Sequence, residues 1–229
     1  MRAARKEPFS RYDQKLEFIL RTAAQIFAEK SYHSTSMRDI SRATGVSLAG
    51  LYHYCRSKEE LLFLIQDNCF GHVLERLNQR LGETSDPVER LRIFIDNHLA
   101  FFAANMAEMK VLSHEAESLE GEMLDRVAGK KQQYTRLARR ILSEVQQALP
   151  EAQRQINLTV ATYALFGMMN WIYNWYDPRG KLTVAELVET LTRLFLVGLL
   201  GGANNELLSF AGQARHERLS VWREPQAST

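Results

Sequence analysis

The few residues whose types and spacing suit them to bond-making chemistry argue against an enzyme. His114-Glu115-Ala116-Glu117-Ser118 opens like a zinc-protease helix, in which two histidines one turn apart hold the metal and the glutamate between them is the base. Ser118 occupies the second histidine position, so that reading fails. The 229 residues contain no glycine-rich phosphate loop, no nucleophile elbow and no convincing metal-ligand set, so neither catalysis nor a cofactor is expected. The two cysteines, Cys55 and Cys69, form no CxxC pair and have no histidine at zinc-ligand spacing. Cys55 among apolar neighbours reads as a small core filler, with a redox-sensing thiol as the alternative.

The elements that carry these residues are helices. Apolar residues recur with the helical period, and no useful stretch alternates as a half-buried strand does, so the chain reads as all-α. Leu16, Ile19, Leu20, Ala23, Ile26 and Phe27 form the buried stripe of a first helix from about Tyr12 to Lys30. Ser36 with Asp39 makes a capping box for a short second helix ending near Thr44. Gly45 supplies a left-handed exit, Val46 plugs the turn, and Ser47 caps a third helix to about Tyr54. Ser57 with Glu60 opens a fourth, long helix that passes Leu77, and Asp86-Pro87 with Glu89 opens one to about Asn105. Further helices are expected at about Met109 to Leu119, Gly121 to Ala148, Ala152 to Tyr176 after the Pro150 break, and Val184 to Leu200. The turn Asp177-Pro178-Arg179-Gly180 separates the last two, and Gly201-Gly202 closes the last. Met1 to Ser10 and the tail from about Pro225 read as frayed arms.

Charge is segregated along the chain. Residues 1–58 carry eleven basic against five acidic residues, net +6, whereas the remainder carries 18 basic against 22 acidic, net −4. A basic N-terminal unit suits a polyanionic partner. No signal peptide is expected, and apolar runs such as Leu165 to Trp175 fall well short of the roughly 20 residues a membrane span needs. A soluble, cytoplasmic, nucleoid-associated protein with no membrane partner is the expectation.

Ser34 to Leu62, STSMRDISRATGVSLAGLYHYCRSKEELL, resembles the DNA-binding signature of the TetR/AcrR family of transcriptional regulators. The matching elements are Ser36, Asp39-Ile40, the Ala43-Thr44-Gly45-Val46-Ser47 turn, Leu51-Tyr52, Tyr54 and Ser57-Lys58-Glu59-Glu60-Leu61. The resemblance implies an N-terminal three-helix helix-turn-helix domain over 1–58, joined through the fourth helix to a larger helical ligand-binding and dimerisation domain over 59–229. It implies that Tyr52 and Lys58 grip phosphates of double-stranded operator DNA, with Ser36, Arg38, Ser47 and His53 around the same surface. A helix fits the major groove, and its N-terminal amides favour a nearby phosphate, which makes the third helix the reader. At its base-facing positions stand Leu48, Ala49 and Gly50, better suited to thymine methyls than to hydrogen-bond readout. Cys55 departs from the family, which usually has phenylalanine there.

The resemblance further implies a homodimer built on the last two long helices, with Gly167 and Gly198 permitting close approach, and a cavity for a small effector. Phe94, His98, Phe101, Phe102, Met106, Tyr134, Leu137, Met168, Met169, Ile172 and Trp175 form an aromatic and methionine-rich set. Most are expected in the core, and a subset lines the cavity, for which the candidates are His98, Phe101, Phe102, Tyr134, Met168, Trp171, Ile172, Trp175 and Arg179. His98 is either a polar handle there or a satisfied core histidine. Gly167 to Leu182 resembles the same region of repressors controlling fatty-acid, aromatic-acid and sterol-ring degradation, relatives that sense acyl-CoA thioesters. Arg179 and Lys181 would then meet ligand phosphates or remain solvated turn residues. The sequence is that expected of a repressor released from a palindromic operator by an acyl-CoA, the alternatives being a multidrug or hydrophobic-compound sensor controlling an efflux gene and, more distantly, a helical enzyme.

Overall fold

The computed structural model describes residues 10–115, 117–149 and 156–200, and among these every regular element is a helix. The order is α1 (Arg11–Lys30), α2 (Met37–Thr44), α3 (Leu48–Tyr54), α4 (Lys58–Leu81), α5 (Pro87–Ala104), α6 (Met106–His114), α7 (Gly121–Ala148), α8 (Leu158–Asn170), a 3-10 turn at Trp171–Asn174, and α9 (Val184–Leu200). Local chemistry sets most of the starts. Ser10, expected in a frayed arm, caps α1 and forms a reciprocal box with Asp13; Ser36 and Asp39 do the same for α2. Ser57 caps α4 through the Glu60 amide, but the Glu60 carboxylate turns back to the Arg56 amide, so that box is not reciprocal. Asp86 caps α5 with Pro87 in the first turn.

Two apolar cores share α4. Ile19, Ala23, Phe27, Ile40 and Leu51 from α1 to α3 pack with Leu61, Leu62 and Ile65 of α4, and with Val111, Leu119 and Val127. Farther along α4, Val73, Leu74, Leu77 and Leu81 enter a second core with Phe94, Leu99, Tyr134, Ile141, Leu165 and Ile172. A 24-residue helix at 1.5 Å per residue runs roughly 36 Å, enough to cross both.

Two helices differ from expectation. The sixth runs from Met106 to His114, earlier than Met109 to Leu119, because the Asn105 side-chain Nδ2 donates to the Phe101 carbonyl and the chain turns straight into a new helix. It ends where Glu115 folds inward to accept from the Tyr32 amide at 3.1 Å. α8 begins at Leu158, where the Asn157 side chain accepts from the amides of Thr159 and Val160, and it tightens into the 3-10 turn after Asn170 instead of continuing to Tyr176. Residues 150–155, Gly201-Gly202 and both expected arms other than Ser10 lie outside the described residues.

Candidate nucleic-acid interface and ligand cavity

The helix-turn-helix is held by its turn chemistry. Gly45 has φ +64°, a conformation that a side chain would strain, and Ser41 Oγ donates to the Val46 carbonyl at 2.6 Å. Gly50 has a second, steric reason: a Cβ there would lie 2.9 Å from Val46 Cγ1 and 3.1 Å from Ser47 Oγ. Its small size thus lets the turn pack closely on the first turn of α3. The outer surface presents Ser36, Arg38, Ser47, Ala49, Tyr52 and His53, all exposed, with Leu48 half-buried. Tyr52 is 49% exposed, so its hydroxyl is not the satisfied tip of a core aromatic. Beside it, Tyr12 of α1 stacks on Tyr54 at 4.8 Å between centroids and meets His53 edge-on, which fixes the end of α3 against α1.

Lys58 is placed differently from the other expected DNA contacts. Its Nζ donates to the carbonyls of Tyr32 and Thr35 at 2.8 and 2.9 Å and lies over the Tyr32 ring. A phosphate would have to share this ammonium with the loop between α1 and α2. The same loop begins at Ser31, a non-glycine residue at φ +68° and ψ 155°, and it is held from the other side by Glu115. Glu115 is buried; its carboxylate also accepts from Ser118, and its carbonyl accepts from Gln66 of α4.

A cavity of about 420 Å³ opens in the second core. Phe70 and Val73 of α4, His98 and Phe102 of α5, Met109, Leu112 and Ser113 of α6, and Lys131, Tyr134 and Thr135 of α7 line it. Tyr163, Phe166, Gly167 and Asn170 of α8 complete the wall with Trp171 and Tyr173. His98, Phe102, Tyr134 and Trp171 are brought together here; the other five candidates are not. Phe101 faces a separate groove between α1, α4 and α5, and Arg179 reaches its own Asp177 in an exposed turn beside α6. The 3-10 turn explains two more, because its tighter winding carries Ile172 into the core and Trp175 outward. Met168 packs against the second core. Lys131 was missed for want of an apolar signature, whereas Tyr163, Phe166 and Asn170, spaced three and four residues apart on α8, follow a face that helical periodicity reveals.

His98 is the polar centre of the cavity. It is 2% exposed, its Nδ1 lies 3.2 Å from the Tyr134 hydroxyl, and its Nε2 has no hydrogen-bond partner. Burial pushes the imidazole down to about 3; the Asn170 amide opposes that shift without bonding Nε2 in normal geometry. Burial also pushes the Tyr134 phenol up. Phe102, Tyr134 and Phe166 surround the imidazole at centroid distances of 4.6, 6.0 and 6.2 Å. Val160, Tyr163, Ala164 and Gly167 of α8 and Trp171 at the start of the 3-10 turn fall at i, i+3, i+4, i+7 and i+11 as an exposed, largely apolar stripe.

Residues 19–65 match the family of bacterial regulatory proteins named for tetR, and residues 84–199 match the tetracyclin repressor-like C-terminal domain. The structure of AibR in complex with isovaleryl coenzyme A and operator DNA is 30% identical, with a TM-score of 0.69, covering 79% of this chain and 97% of that one. The transcriptional repressor KstR2 of Mycobacterium tuberculosis is 25% identical over 191 residues, 82% of this chain and 92% of its own length. The fatty acid metabolism regulator protein of Bacillus subtilis is 22% identical over 182 residues, 79% and 93% of the two chains. No helix among the described residues is long and apolar enough to cross a membrane.

Proposed function

The chain belongs to the TetR family, is a DNA-binding transcriptional regulator and not an enzyme, and on that premise we propose that it is a homodimeric repressor released from a palindromic operator by an acyl-CoA thioester. The observation that carries the effector class is the cavity itself: an aromatic chamber of about 420 Å³ with a cation, Lys131, on its rim. That volume takes an acyl chain and the adjoining thioester but not a whole coenzyme, so the nucleotide phosphates would lie outside, where Lys131 is exposed and Arg179 is remote. The likeness to AibR, whose structure holds isovaleryl coenzyme A and operator DNA, supports the same class.

On the DNA side, α3 enters the major groove with Leu48 and Ala49 toward the bases, Tyr52 and Lys58 reach phosphates, and Ser36, Arg38, Ser47 and His53 flank them. Residues 1–58 act as the reading unit and 59–229 as the effector and dimer unit, with α4 as the link. The stripe from Val160 to Trp171, together with α9, faces a second copy, so that two reading helices meet successive major grooves. An effector acts only through a difference in affinity for the DNA-bound and released conformations; tenfold release requires about 1.4 kcal/mol of coupling.

The test is to titrate acyl-CoAs, free CoA, free fatty acids and hydrophobic drugs into the protein-operator complex while following DNA release and tryptophan fluorescence. Acyl-CoAs should release DNA. Free CoA, which lacks the tail, and free acids, which lack the phosphates, should do so weakly. Release by drugs and not by thioesters overturns the reading in favour of a multidrug sensor.

A further inference from the structure

The geometry points to His98 as the specificity-determining residue of the cavity, its Nε2 donating a hydrogen bond to an uncharged carbonyl oxygen of the effector and discriminating against ligands that lack one. This rests on the acyl-thioester reading and names the atom of the ligand that the protein recognises.

A buried polar atom without a partner is rare in a folded protein, and its retention asks for a reason. Nε2 of His98 is such an atom, in a residue that lines the cavity. Which proton it carries follows from its neighbour. The Tyr134 hydroxyl is buried and has His98 Nδ1 as its hydrogen-bond partner at 3.2 Å. A phenol is the stronger donor and an imidazole nitrogen the stronger acceptor, so Tyr134 donates to Nδ1 and the ring proton sits on Nε2. The three surrounding rings pin the imidazole, giving the N–H a fixed direction. The ring stays neutral in these surroundings, so a carboxylate placed against it would be a buried charge without a counter-charge, whereas a thioester carbonyl needs only the N–H. Lys131 at the rim is the cation for the charged end, far enough out to remain exposed.

The test compares an acyl-CoA with the S-alkyl-CoA of equal chain length, a thioether that lacks only the carbonyl, by direct binding to the full-length protein and by operator release. The wild-type protein should bind the acyl form about tenfold tighter or more. His98→Phe, which keeps aromatic volume, should bring the ratio near one by weakening the acyl form alone. His98→Gln restores a neutral N–H donor and should recover part of the preference, which a merely structural role would not produce. Equal binding of the two compounds by the wild-type protein, with both still releasing DNA, overturns the inference and leaves the thioester reading standing. If neither CoA compound binds, the thioester reading falls, and a matched long-chain ketone and alkane decide: ketone preference lost in His98→Phe upholds the carbonyl donor, and no preference overturns it.

Discussion

The Lys58 ammonium is satisfied by two backbone carbonyls before any DNA arrives. Lys58→Ala therefore touches two properties at once. It should lower folding stability by about 1–3 kcal/mol, because charge-assisted bonds to part-buried carbonyls are lost, and it should flatten the log-affinity versus log-salt slope by about 0.9 if the same ammonium neutralises one phosphate. Urea titration reads the first and binding across salt concentrations reads the second; an unchanged slope would leave Lys58 as a loop anchor alone. Tyr52→Phe isolates the other contact, since the hydroxyl is exposed and its loss should weaken operator binding without altering stability. Cys55 invites a pH argument. Burial, helped by Glu60, pushes its thiol up to about 11, and burial pushes Cys69 up further, so both stay protonated near neutrality. A thiol-disulfide reagent at pH 8 should label neither cysteine in the folded protein and both in urea; fast labelling of Cys55 would revive the redox reading. For His98 the sign is opposite: the unfolded ring protonates near pH 6.5 while the folded ring resists to about 3. Stability is thus full above pH 6.5 and falls by about 1.4 kcal/mol per pH unit as acid is added through that window. His98→Phe should flatten that acid limb.

Helices were legible in the sequence where local signals agree, and less so where a tertiary contact ends the element. α7 runs from Gly121 to Ala148 as its periodicity predicts, and α2 and α3 follow from Ser36, Gly45 and Ser47. The end of α6 depends on Glu115 meeting a residue 83 positions away, and nothing local announces that. The narrowing of α8 into a 3-10 turn moved Ile172 and Trp175 off the cavity, although their spacing on an ideal helix had grouped them with His98. Lys131 had no apolar pattern to expose it. Between elements, Asp67 of α4 ties to α7 through Arg126, in a two-pronged contact at 3.1 Å, and through Lys130 at 2.6 Å. Asp67 is buried while Arg126 is mostly exposed, and Lys130 keeps its bond to the Asp67 backbone carbonyl, so removing the carboxylate costs less than breaking a wholly buried pair. Asp67→Ala should cost about 1–3 kcal/mol by thermal or urea unfolding. A change of a few tenths would mean that solvent already screens the pair.

Taken as a whole, the molecule leaves Val160, Tyr163, Trp171 and Leu194 about 60–65% exposed on α8, the turn that follows it and α9, more apolar surface than a lone protomer gains from showing to water. Sedimentation should find a dimer without DNA at micromolar concentration, and Val160→Glu with Leu194→Glu should shift it toward monomer while leaving the helical content intact. A stable wild-type monomer would remove the geometric basis for a palindromic site. The loop between α1 and α2 is gripped at one residue, Tyr32, by side chains from two different helix ends. The Tyr32 amide is held by Glu115, at the end of the helix that lines the cavity, and the Tyr32 carbonyl is held by Lys58, at the start of the helix that follows the reader. Tyr32 is accordingly a reporter for both halves of the protein: loosening of the Glu115 grip speeds deuterium exchange at its amide, and loosening of the Lys58 grip shifts the resonance of its carbonyl carbon, so one residue registers an event in the cavity and an event on the operator.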